Sequence, residues 1–66
     1  MLNNRYSRAA SSIATALETD TYFVADVSTQ ENDAFIFRVM LYLNRYFGKY
    51  SIQYMNNGDA LIQKQG

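Results

Sequence analysis

Residues 34–47, AFIFRVMLYLNRYF, form a run of large apolar side chains broken only by Arg38, Asn44 and Arg45. A membrane-spanning helix needs about 20 mostly apolar residues, and shorter runs belong to buried helices. With charges inside the run, no membrane span is expected. The flanks frame a helix. Ser28 stands three residues before Glu31, the spacing of a capping box. Asp33 adds a second acid to the first turn, favourable against the positive end of the helix dipole. Gly48 falls where a left-handed stop residue is preferred. The spacing therefore predicts one helix from Thr29 to about Phe47.

At about 100° per residue this helix has three kinds of surface. Val39, Leu43, Ile36, Met40 and Phe47 form a broad apolar face, bordered on one side by Phe35 and Tyr46. Glu31, Arg38, Tyr42, Arg45 and Lys49 gather in a polar stripe. Phe37 and Leu41, with Ala34 nearby, stand on the remaining flank.

Downstream, residues 49–65 read as a hairpin turning at Asn56-Asn57-Gly58. A two-residue loop would mix polar and apolar residues on both faces. A three-residue loop with Gly58 left-handed pairs Tyr54 with Ala60 and Ile52 with Ile62. That register collects Tyr50, Ile52, Tyr54, Ala60 and Ile62 on one face, which the broad face of the helix can cover. Ser51, Gln53, Gln63 and Asp59 share the other face with Met55 and Leu61.

Upstream, TYFVADV (residues 21–27) is β-branched and aromatic and reads as a strand. Phe23, Ala25 and Val27 alternate with Tyr22, Val24 and Asp26. Neither set is strongly polar, so cover on most of both faces is expected. From about Asn4 to Glu18, the spacing of Tyr6, Ala9, Ala10, Ile13 and Leu17 predicts a first helix, capped by Asn3 or Asn4. Its narrow alanine-rich face reaches one flank of the second helix only. The expected fold is a single small α+β domain over residues 1–66. Its order is helix, strand, long helix, β-hairpin, and the second helix covers one face of a small antiparallel or mixed sheet of undetermined strand order.

Composition narrows the function. An apolar fraction of 48% is a folding composition, yet 66 residues give a marginal core. With no cysteine and no histidine, disulfides and the usual zinc, copper and haem ligands are missing, so no metal or cofactor is expected. Oligomerisation or partner binding gains weight accordingly. The residues that most often serve as nucleophile or general base are absent, and capping accounts for Glu31 and Asp33, so no enzyme is expected. The N-terminus is too polar for a secretory signal, which makes the cytoplasm the expected compartment.

Charge is balanced, six basic against six acidic residues, but not evenly spread. Glu18, Asp20, Asp26, Glu31 and Asp33 lie within residues 18–33, with no basic residue between Arg8 and Arg38. These acids predict an edge that steers a basic partner, for instance a nucleic-acid-binding protein. Phe37 and Leu41 are expected to serve self-association, as a homodimer, or contact with another protein.

The leading expectation is a small non-catalytic protein-binding module. In size and style it is like the accessory inhibitors and adaptors of phages and mobile elements, which would put it in the host cytoplasm. The alternative is nucleic-acid binding through Arg38, Tyr42, Arg45 and Lys49, basic residues interleaved with an aromatic. Helix, strand, helix and hairpin also occur in that order in winged-helix DNA-binding modules. Residues 29–47 are too short and unbroken for the two helices of a helix-turn-helix, and zero net charge does not favour nucleic acid.

Overall fold

A computed structural model of the chain describes residues 4–65. The elements are α1 (Arg5–Ala16), β1 (Phe23–Asp26), α2 (Gln30–Tyr46), β2 (Tyr50–Tyr54) and β3 (Asp59–Lys64). This is the expected α+β order. The sheet is antiparallel with strand order β1-β3-β2. Both outer strands run against β3, so β1 and β2 are parallel to each other, and α2 joins them across the gap that β3 fills. Strands lie about 4.8 Å apart, so the outer two are separated by about 10 Å, roughly the width of one helix. That match is the physical basis of this split β-α-β arrangement.

Local chemistry sets the helix ends. Asn4 caps α1 in a reciprocal box: its Oδ1 accepts from the Ser7 amide at 2.9 Å, and Ser7 Oγ accepts from the Asn4 amide at 3.2 Å. Asn3, the other candidate cap, lies outside the described residues. At α2 the expected box from Ser28 to Glu31 is replaced by a cap one residue later. Thr29 Oγ1 accepts from the Asn32 amide at 3.1 Å. Ser28 is held elsewhere, because the Asp26 carboxylate accepts from its amide at 2.8 Å and from its hydroxyl at 2.6 Å. The helix stops at Gly48, whose φ of 133° suits glycine.

The hairpin takes the expected three-residue loop. Tyr54 pairs with Ala60 and Ile52 with Ile62. Gly58 has φ 88°, and Asn57 Oδ1 accepts from the Asp59 amide at 3.1 Å, which fixes the turn. On the other side of β3, Phe23 pairs with Ile62 and Ala25 with Ala60. Phe23, Ala25, Ala60, Ile62, Ile52 and Tyr50 thus share the inner face of the sheet.

Against that face α2 buries Ile36, Val39, Met40 and Leu43, and α1 adds Ala10 and Ile13, with its C-cap Leu17, to the same cluster. Three expectations need correction here. β1 is shorter than residues 21–27 and is covered on one face only: Tyr22 and Val24 are 51% and 49% exposed, because among the described residues no helix lies on the outer side of the sheet. Phe47, placed on the broad apolar face by helical periodicity, is the C-cap and 40% exposed; the 100° progression has ended by then. Tyr54 is also exposed, standing beyond the buried part of β2.

Candidate interaction surfaces

The outward surfaces of α2 carry most of the chemistry. Its flank toward α1 is an aromatic row. Tyr6 lies 5.3 Å from Phe35 and 6.1 Å from Tyr42, and Tyr42 lies 6.1 Å from Tyr46, centroid to centroid. Asn4 Nδ2 donates to the Tyr42 hydroxyl at 3.1 Å. Tyr42 is therefore packed against α1, where the sequence placed it in the solvated stripe beside Arg38 and Arg45. Lys49 is exposed in the connection before β2, and Arg45 stands 5.6 Å from the Tyr46 ring.

Between α1 and the first half of α2 lies a cleft of about 410 Å³ whose charged lining is Arg5, Glu31 and Arg38. The Arg5 guanidinium donates to the Tyr6 hydroxyl at 3.3 Å and stands over both Tyr6 and Phe35. That hydrogen bond, with the charges of Arg5 and Arg38, holds the Tyr6 phenol below its ordinary pKa against a smaller opposing effect of burial. Arg5 escaped the sequence reading because only fold contacts bring it beside Arg38.

The five acids are all exposed. Glu31 and Asp33 are two residues apart on α2, about 200° around the helix. Glu31 turns into the cleft with Arg5 and Arg38, whereas Asp33 reaches Tyr54 of β2. Loss of solvent, followed by the hydrogen bond to Asp33, raises the Tyr54 phenol above its usual value. Asp26 lies opposite Asp59 at one end of the sheet, and Glu18 and Asp20 follow α1 in the connection to β1. The two Ser28 bonds lower the Asp26 pKa, side-chain bond first, although like charges across a strand pair destabilise.

Phe37 and Leu41 project from the back of α2, 60% and 55% exposed. The outer sheet face carries a second apolar set, with Tyr22, Val24 and Met55 exposed and Leu61 half-buried. Among the described residues no group of three or more acidic side chains is placed to hold a metal ion. Nor is any helix among them long and apolar enough to cross a membrane. No protein-family model, curated protein or solved structure matches the chain.

Proposed function

We propose that the chain is a small non-catalytic protein-binding module whose principal contact is the back of α2. The observation that carries this reading is the pair Phe37 and Leu41. They lie one turn apart, are more than half exposed, and stand on a helix whose opposite face is fully engaged by the core. An isolated exposed apolar residue needs no explanation, but adjacent large ones on a rigid element mark contact surfaces. Asp26, Asp33 and Asp59, together with Glu18 and Asp20, supply acidic rims that favour a partner carrying basic groups. An accessory inhibitor or adaptor acting in a host cytoplasm is the role that fits such a module best.

The test compares wild-type protein with Leu41→Glu. Hydrodynamic mass is followed over a concentration series, and immobilised protein is used for capture. A contact present in the wild type and lost in Leu41→Glu is expected. A monomer that retains nothing Leu41-dependent overturns the reading. Reversal of Asp20 and Asp26 to lysine is expected to slow association, and an unchanged on-rate in both would remove the acidic rims from the proposal.

One observation favours nucleic acid as a second reading: Arg5 joins Arg38 and Arg45 along the aromatic row. Such a track would bind single strands in a salt-sensitive manner. Absence of any gel shift at low salt and micromolar protein would retire it.

A further inference from the structure

We infer that the back of α2 is the seam of an antiparallel helix pair formed with a second copy of this chain. This inference rests on the protein-binding reading and names the partner. Gln30, Ala34, Phe37, Leu41 and Asn44 recur at steps of four, three, four and three residues, and all five are exposed. That alternation is the a and d spacing of a coiled-coil seam. On the wheel the five fall within a sector of about 80°. The sheet takes the sector of Val39 and Leu43, and α1 takes that of Phe35 and Tyr42, so neither covers the seam. What distinguishes this stripe is that its two central positions are the large exposed apolar residues Phe37 and Leu41.

The composition of the stripe fits a short two-helix contact. Phe37 and Leu41 supply two apolar layers, and Ala34 lets backbones approach at one end. Asn44 closes the other end as a fixed polar group: its Nδ2 donates to the Met40 carbonyl at 3.1 Å, and its Oδ1 accepts from the Tyr50 amide at 2.7 Å. A two-fold axis makes the contact isologous, with Phe37 of each copy against Leu41 of the other.

Charge is complementary in the antiparallel direction. The residues immediately following Gln30, Phe37 and Asn44 are Glu31, Arg38 and Arg45, all on one flank of the seam. Among the described residues neither arginine has a carboxylate within ion-pair distance. In an antiparallel pair these flanks face each other. With Phe37 opposite Leu41, Glu31 of each copy comes within about two residues' rise of Arg45 of the other, giving two ion pairs. Arg38 meets its own counterpart once, at the axis. The opposite charges outnumber the like ones, and the long Arg38 side chains can splay into solvent.

Sedimentation equilibrium on the full chain tests this. A mass rising toward twice 7.6 kDa with concentration is expected. Phe37→Glu should return it to a monomer with unchanged circular dichroism, since Phe37 lies outside the core. Glu31→Arg is expected to weaken association about tenfold, and adding Arg45→Glu to restore it. Because the chain has no cysteine, Gln30→Cys reports direction cleanly. The antiparallel seam keeps the two introduced thiols far apart, so rapid disulfide formation between copies would overturn it in favour of a parallel pair. A monomer up to millimolar concentration overturns the second copy as occupant while leaving the contact for a different protein. A dimer indifferent to both Phe37→Glu and Leu41→Glu overturns the seam, and the protein-binding reading of this face with it.

Discussion

The corner where Asp26, Ser28 and Gly58 meet shows how single residues govern this fold. A Cβ on Gly58 would stand 2.9 Å from the Ser28 Cβ, and the φ of 88° already disfavours any L side chain. The backbone conformation alone costs about 1–2 kcal/mol for a non-glycine residue. Gly58→Ala is expected to lower stability by about 2 kcal/mol or more in urea unfolding. Removing the opposing Cβ with Ser28→Gly should recover part of that loss, giving a coupling of about 1 kcal/mol. Strict additivity of the two changes would show that the contact is not felt. Asp26 adds a pH dependence at the same corner. Its pKa is lowered in the folded state, so its contribution is fully present above the ordinary aspartate range and is lost as the pH falls through the lowered value. An NMR titration of the Asp26 carboxyl group should place its midpoint below the ordinary aspartate range; a midpoint within or above that range would contradict the two Ser28 bonds. This corner also explains why Ser28 misled the sequence reading. Ser-x-x-Glu counts forward from the serine, whereas the group that captured Ser28 lies two residues behind it and carries a full charge. A charged acceptor forms the stronger hydrogen bond, which leaves Thr29 to cap the helix.

At the scale of elements, α2 carries the stability, and its faces have unequal worth. Leu43 is fully buried within the core cluster that α2 shares with the sheet and α1. Leu43→Ala is expected to cost about 2–5 kcal/mol, a large share of the total for a domain this small. Phe37→Ala on the same helix should change stability by less than about 0.5 kcal/mol. Thermal melts of the two variants at a concentration where the chain is monomeric check the contrast; similar losses would mean that the back of the helix is packed after all. Asn44 is a third kind of position. It looked like an interruption of the apolar run, yet it ties the last turn of α2 to the first residue of β2. Asn44→Ala should cost about 1–2 kcal/mol by leaving the Tyr50 amide without its partner. The hairpin register was legible because one register sorts Tyr50, Ile52, Ala60 and Ile62 to a single face and the other does not. The place of Tyr42 was not, since a helical wheel shows which residues share a face but not which neighbouring element will cover it.

For the whole molecule, helix count, order and inner sheet face could all be read from periodicity and turn chemistry. Strand order could not. Ala25 opposite Ala60 and Phe23 opposite Ile62 make an acceptable pairing, but the pattern of β1 fits either edge of the hairpin equally well. The choice depends on how α2 crosses the sheet, which is a matter of chain geometry rather than of side-chain pattern.

The central position of β3 also governs when the protein is able to fold. β1 and β2 each pair with β3 and not with each other. As the chain emerges from the ribosome, both helices and two strands are made before either strand has a hydrogen-bonding neighbour. The pairings that complete the sheet join residues as distant as Phe23 and Ile62, the kind of long-range closure that slows folding. Until residues 59–64 are free of the exit tunnel, α2 has no completed sheet to cover. Held on the ribosome through an added C-terminal linker, the chain should stay fully sensitive to protease while residues 59–64 are inside the tunnel, and become resistant in a single step once the linker is long enough to carry them out.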